Sequence, residues 1–492
     1  MNQWAQNPVI YEINTRIWIR ELSHKYAMNI TLENIPGVEW DYLAVLNIHA
    51  VWLMGVWQRS PAGLTIALQH PGNLSDFNNT LPDFNPADAD GSPYCVRSYT
   101  ADKCFGGDRG LRIARDELAV RGLKLILDLV PNHLAPDHPW ISKYPEFFIR
   151  GNAEDFEKDP VTFCRLNDGI FACGKDPYFP AWQDVIQVNA FHPGYRDAIT
   201  ETLYEFARLC DGVRCDMAML MTNEVFQKTW GTRAGAFPDY DFWDQVIRAV
   251  KARYPDFLFI AEVYWEMEWA LQQQGFDFCY DKRLYDRLID SNAQGILEHL
   301  KADLSYQEHL IRFIENHDES RSATVFSGEK EKAAAIACLT LPGARLLYEG
   351  QLEGRKIKLP VFLVRRPFED ADPKLRDFYK RLLTILSNPV FSTGSWQLCE
   401  CYGWPDNQNC QHLLAWQWKG ETDCFLVVIN YRDQESQGMI RFYPDCHDVT
   451  EWYFDDLFTG SRYVRSREEL YAQGLYAGLP GWGFHFFRVS AG

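Results

Sequence analysis

Four short apolar runs in this chain end in clusters of ionisable and amide side chains. Leu123–Val130 closes with Asp128, Asn132 and His133. Gly212-Val-Arg-Cys-Asp216 carries Arg214 and Asp216 two residues apart, so an extended chain turns both to one face. Ala261-Glu-Val-Tyr-Trp265 carries Glu262. Leu310–Asp318 closes with Glu315, Asn316, His317 and Asp318. Each group has a plain structural explanation when taken alone. Arg214 and Asp216 read equally well as a satisfied ion pair, because buried charges are normally paired. Asp128 reads as a carboxylate bonded to backbone or to an arginine. His133 reads as a loop histidine, and His317-Asp318 as half of a metal site.

Together the groups point to one chemistry. Glycoside hydrolysis needs two carboxylates, one as acid/base and one as nucleophile, about 5–5.5 Å apart in retaining enzymes. Arg214 is a permanent charge that would keep Asp216 ionised, which suits a nucleophile. Glu262 ends an apolar run and precedes Tyr264 and Trp265. An apolar setting suits a general acid.

The elements that must carry these groups follow from hydrophobic patterning. Strand-like runs centre near residues 10, 52, 126, 213, 260, 278, 313 and 346, with helical periodicity between most of them. Helices are expected over Asp41–Leu46, 108–121, Tyr195–Leu209, Trp243–Ala252, 330–340 and Pro373–Leu386. Such alternation implies βαβ units and a parallel sheet. Eight units imply a closed (β/α)8 TIM barrel, since no Gly-rich phosphate loop follows an early strand as an open sheet would want. Residues 58–93, rich in Pro, Gly, Asn and Asp, read as a long loop with a short helix at 73–80. Residues 134–193 read as an irregular inserted subdomain. After about residue 390, short alternating runs between turn residues read as an antiparallel β-domain. The expected division is 1–133 and 194–389 for the barrel, 134–193 for the insertion and 390–492 for the β-domain.

Composition narrows the partners. The net charge is −18 and the pI about 5.2, which argues against nucleic acid or an anionic membrane. Seventeen Trp, 24 Tyr and 31 Phe suit the apolar faces of sugar rings as well as a large core. The 13 cysteines lack metal-type spacing and several fall inside apolar runs. The opening Met-Asn-Gln-Trp-Ala-Gln-Asn-Pro lacks a signal-like pattern, and no uncharged apolar run is long enough to span a bilayer. A reducing, cytoplasmic location is expected.

The four motifs, in this order, resemble those of the α-amylase family of glycoside hydrolases, and the resemblance runs from residue 8 to 492. It implies Asp216 as nucleophile, Arg214 as its partner and Glu262 as general acid/base. It implies Asp318 as the group that stabilises the transition state, with His317 and His133 bonding the same sugar. Ser92-Pro-Tyr94, with Tyr99 and Phe105-Gly-Gly107, resembles the stretch that supplies a stacking tyrosine, here Tyr94. Tyr348-Glu-Gly350 resembles the motif of strand 8. Asn132 and Trp265 join the expected substrate-binding set. The insertion corresponds to the family's domain B and the tail to its β-sandwich.

Two departures stand out. Many family members follow the nucleophile with a Lys-His pair, where this chain has Met219 and Leu220. Many bind a structural calcium through the first-motif Asn and a domain B Asp, where this chain has Gln187, and hard cations prefer carboxylates. No cofactor is expected to be required. The expected activity is retaining cleavage of α-1,4-glucans or maltooligosaccharides. A glucanotransferase or α-glucosidase of the same fold is the alternative, and a non-catalytic glucan-binding protein or a metal-dependent hydrolase ranks below both.

Overall fold

The computed structural model describes residues 4–442, 444 and 449–492. The first three residues of the N-terminal stretch read above, and Cys446, lie outside them. Eight parallel strands form a closed barrel in sequence order. They are β1 Val9–Asn14, β2 Ala50–Met54, β3 Lys124–Leu129, β4 Gly212–Cys215, β5 Leu258–Ala261, β6 Phe278–Tyr280, β7 Leu310–Arg312 and β8 Ala344–Tyr348. Each falls on one of the eight expected runs. Every residue of β1, β2, β4, β5 and β8 is buried. That is why these strands read as apolar blocks rather than as alternating patterns.

The intervening helices follow their sequence signals. Pro193–Leu209 begins with proline at its first turn and buries Tyr195, Ile199, Leu203 and Phe206 at helical spacing. Pro373–Leu386 starts the same way, with Asp372 accepting from the amides of Lys374 and Leu375. C-terminal to these, a six-stranded and a three-stranded antiparallel sheet enclose a core that includes Leu426, Val428, Phe454, Phe487 and Trp452.

Two regions differ from expectation. Residues 58–93 hold the helix expected at 73–80, as Pro71–Thr80, and a further helix, Pro61–Ala67, where a loop was expected. Pro61–Ala67 is capped by Ser60, and Pro71–Thr80 by His70. Both helices begin with proline, which reads as a breaker but is favoured at a helix start. The 134–193 segment is not irregular. Phe163–Leu166, Gly169–Gly174 and Trp182–Gln187 join His133–Leu134 in a four-stranded sheet. Its strands are short and broken by polar turns, so no window carried a period-2 signal.

By contact density the chain forms two compact units, one built on Ile10–Tyr280 with Ile357–Glu369 and one on Asp281–Lys356 with Asp370–Gly492. No helix among the described residues is long and apolar enough to cross a membrane.

Candidate active site

The parallel register sets Arg214 of β4 directly beside Asp128 of β3 and Ile260 of β5. One residue past the ends of β4 and β5, the chain places Asp216 and Glu262, with the Glu262 amide bonded to the Cys215 carbonyl. All three carboxylates lie within 4 Å of one guanidinium. Arg214 Nη1 is 2.8 Å from Asp216 Oδ1 and 3.9 Å from Asp128 Oδ1, and Nη2 is 2.8 Å from Glu262 Oε2. Burial pulls the Arg214 pKa down, but Glu262, Tyr280, Tyr94 and Asp216 outweigh it and hold it well above the usual value. Asp128 is anchored structurally. It accepts from Trp52 Nε1 at 3.2 Å and from the Gly55 amide at 2.9 Å.

Glu262 does not sit in the apolar pocket expected of it. Its Oε2 also accepts the Met217 amide at 2.6 Å, and its Oε1 accepts the Tyr264 hydroxyl at 2.9 Å. Met217 reaches it from a left-handed conformation, φ 45°, uncommon outside glycine and of the kind found at functional sites. The apolar run before Glu262 is buried, and the polar groups that meet Glu262 come from Arg214, Met217 and Tyr264.

Aromatic rings surround the fork. The Arg214 guanidinium lies 5.2 Å from the Tyr94 ring, 5.4 Å from Trp52 and 5.9 Å from Tyr280, within cation–π range. Tyr94 is thus beside the carboxylates. Tyr99 instead turns its hydroxyl to the Val130 carbonyl, 2.8 Å away. His133 is buried with its ring 5.5 Å from Trp182. Burial lowers its pKa to about 4 against the pull of Asp184, so the imidazole is neutral near pH 7. Trp265 contacts Tyr178, with ring centroids 4.9 Å apart.

In the other unit, His317 Nε2 lies 2.9 Å from Asp318 Oδ2, with the histidine buried and the aspartate side chain 45% exposed. Asn316 holds the turn by accepting the amides of Asp318 and Glu319. Glu315 faces inward. Its Oε1 is 3.2 Å from Arg321 Nη1, and burial pushes its pKa up to about 7 despite Arg321 and the Ser322 amide.

The donors around Asn132 do not suit calcium. Gln187 Nε2 donates to the Asn132 backbone oxygen at 2.9 Å, to Asn132 Oδ1 at 3.0 Å and to the Val188 carbonyl at 3.2 Å. Its Oε1 accepts the Lys175 amide. This arrangement fixes the amide orientation, because a flip would set oxygen against three oxygens and lose a donor. An N–H group therefore occupies the oxygen cluster that a cation would need. Among the described residues, no group of three His, Cys, Asp or Glu is arranged to hold a metal.

The sequence reading passed over Trp52, Tyr264 and Tyr280. Tyr264 was findable, since it lies two residues beyond Glu262 and shares its face on an extended chain. Tyr280 ends β6, where a polar tip on an apolar strand was the only signal. Trp52 lies inside β2 and carried none.

The chain resembles several known proteins. No family model matches it. It is 27% identical over 437 residues to the α-amylase MalA of Haloarcula japonica, covering 87% of this chain and 56% of that protein. It is 24% identical over 345 residues to a 4-α-glucanotransferase of Thermotoga maritima, covering 64% of this chain and 66% of that protein. The chain thus spans little more than half the length of the MalA protein. Among solved structures, a maltogenic α-amylase of Thermotoga neapolitana superposes with a TM-score of 0.70 at 18% identity over 98% of both chains. An α-amylase of Geobacillus thermoleovorans, complexed with acarbose, superposes with a TM-score of 0.68 at 15% identity over 99% of both. These two likenesses establish the fold.

Proposed function

We propose, from the premise that the chain belongs to the α-amylase family, that it is an α-glucan-active glycoside hydrolase. It cleaves α-1,4-glucosidic bonds of starch, glycogen or maltooligosaccharides with retention. The observation that carries this reading is the single Arg214 fork shared by Asp216 and Glu262. One guanidinium between two carboxylates keeps them close enough for the spacing of about 5–5.5 Å that double displacement requires.

In the first step Asp216 attacks the anomeric carbon while Glu262 protonates the departing glycosidic oxygen. The hydrogen bonds indicate which oxygen carries that proton. Oε2 faces a guanidinium and a backbone amide, which can only donate. Oε1 faces the Tyr264 hydroxyl, which can rotate from donor to acceptor. The acid proton therefore resides on Oε1. In the second step Glu262 takes a proton from water, and the resulting hydroxide equivalent releases the sugar from Asp216. Asp318, with His317, and neutral His133 bond the sugar hydroxyls. Tyr94 stacks on the ring, and Asn132 and Trp265 line the cleft. No step needs a metal. The twelve cysteines among the described residues are all free thiols, which supports a reducing, cytoplasmic setting.

Asp216→Asn should lower kcat by about 10⁴-fold or more, the scale seen when a covalent nucleophile is removed. Near-wild-type turnover by a folded Asp216→Asn protein would overturn the assignment. The glucanotransferase relative supports transfer to a sugar hydroxyl as the second reading. Incubation with one pure maltooligosaccharide separates the two, because products longer than the input require transfer.

A further inference from the structure

The tip of the 134–193 insertion reaches the loop that follows Glu262. Buried Asp176 accepts the amides of Tyr178 and Phe179 through Oδ1, at 2.6 and 2.9 Å, and so fixes a tight turn. That turn presents two large rings to solvent, with Tyr178 58% and Phe179 65% exposed. Exposed rings held on a fixed turn suit a ligand better than a core.

Tyr178 is held from two sides. Its ring meets Trp265 edge-on, at 4.9 Å and 77°. Its hydroxyl accepts from Lys228 Nζ at 2.9 Å. On the other side of this contact the backbone is strained. Trp265 and Glu266 both have φ of 62°, and two successive non-glycine residues in the left-handed region persist only where the surroundings enforce them. The indole on this turn meets Tyr178. Meanwhile Met219 and Leu220, which stand where a Lys-His pair is common, are packed inside the protein. They offer no polar group to a leaving sugar.

Trp265 is three residues from Glu262, at most about 10 Å along the chain. The general acid serves the leaving-group side of the scissile bond, and the ring contact is tethered within that reach of it. We infer that Tyr178 and Trp265 form an aromatic bridge that closes the leaving-group side of the cleft and selects short maltooligosaccharides over polymeric α-glucan. This rests on the assignment of Glu262 as the general acid. A short leaving group ends against the rings, whereas a long one has to pass through a contact that leaves no gap.

The test is the ratio of kcat/KM on soluble amylose to that on maltotriose. It should rise about tenfold or more in Tyr178→Ala and Trp265→Ala, the scale of steric discrimination by an apolar wall. Tyr178→Phe keeps the ring and loses only the Lys228 bond, so its ratio should move far less. A ratio unchanged in both alanine variants, with their unfolding temperatures confirming the fold, overturns the bridge. So does a wild-type enzyme that already cleaves amylose as efficiently as maltotriose. If Trp265→Ala does not fold, Tyr178→Ala decides, since that side chain is largely exposed. An inactive Asp216→Asn with an unmoved ratio removes the bridge alone. An active Asp216→Asn removes the catalytic reading beneath it.

Discussion

Arg214 and Arg312 both lie fully buried against acids, and they are held in opposite ways. Arg214 faces three carboxylates within 4 Å. Arg312 faces one, with Nη1 3.0 Å from Asp281 Oδ2, while its Nε donates to the Pro342 carbonyl and its Nη2 to Gln307. Asp281 is also bonded to His299 Nε2 at 3.0 Å and to the Leu284 amide at 3.1 Å. The difference shows in the pKa shifts. Burial dominates at Arg312 and takes it below its ordinary value although Asp281 opposes it, whereas at Arg214 the acids prevail over burial. The Arg312 cluster pairs one acid with one arginine, whose other partners are a backbone carbonyl and the Gln307 side chain. The Arg214 cluster gathers three carboxylates around one arginine. The proposed function gives only the second a reason to tolerate that imbalance, because a nucleophile and an acid/base must be adjacent to react.

The largest expected effect tests the balanced cluster. Burial would raise Asp281, but His299 and Arg312 outweigh it and bring the carboxyl to about 2. Asp281→Asn leaves Arg312 buried without its counter-charge and should cost roughly 3–5 kcal/mol of stability. Whatever protein remains folded should keep its kcat. The pH dependence carries the same sign. A carboxyl that titrates at about 2 when folded and about 3.9 when unfolded stabilises fully above about pH 5. That contribution, roughly 2–3 kcal/mol, fades as pH falls from about 4 toward 2. Urea unfolding at pH 7 and pH 3 should show the loss in the wild type and a flatter dependence in Asp281→Asn. A variant as stable as wild type would erase the contrast between the two arginines.

Glu262→Gln probes the unbalanced cluster with a smaller change in stability. Glutamine is neutral, as the protonated acid is, and leaves Arg214 its Asp216 and Asp128 partners. Activity should fall by about 10²–10⁴-fold, the range for loss of a general acid, while stability holds or rises by about 1 kcal/mol. Thermal unfolding and initial rates on one preparation read both. A loss of several kcal/mol would place Glu262 with Asp281 as a structural group.

How far the sequence revealed these clusters follows from their chemistry. Every barrel strand was legible, because a parallel strand buried on both faces is an apolar block bounded by polar residues. The Arg214–Asp216 contact followed from period 2 along one strand. Glu262 was legible as a carboxylate at a strand end, but its setting was not. The Met217 amide and the Arg214 guanidinium reach it from β4 and the residues just beyond, and no local pattern encodes a contact across 45 residues. The Arg312 cluster stayed hidden for the same reason. Asp281, His299, Gln307 and Arg312 are spread over three elements and their connecting loops, and each alone resembles an ordinary surface residue. The helix at 73–80 was legible, although its start at Pro71 was not, and the helix Pro61–Ala67 was obscured by its opening proline, which marks a helix start only once the helix itself is known.

Asn132 and Gln187 supply a neutral third case, and the smallest expected effect. Here the negative ends of three carbonyl groups converge, as the acids do on Arg214, but an uncharged amide answers them. Three partial charges need no full cation, and an amide nitrogen with two hydrogens shared among three oxygens satisfies them at little desolvation cost. Chelation should therefore shift neither activity nor unfolding temperature by more than about 1 °C, and added calcium should do no better. Gln187→Asp reverses the chemistry by setting a carboxylate against those oxygens. It should unfold at lower temperature in chelator and recover part of the loss in millimolar calcium, by the mass action of a ligand that binds only the folded state. A wild-type protein that loses stability on chelation would show that a cation, and not the Gln187 amide, ties Asn132 to the strand that carries Gln187.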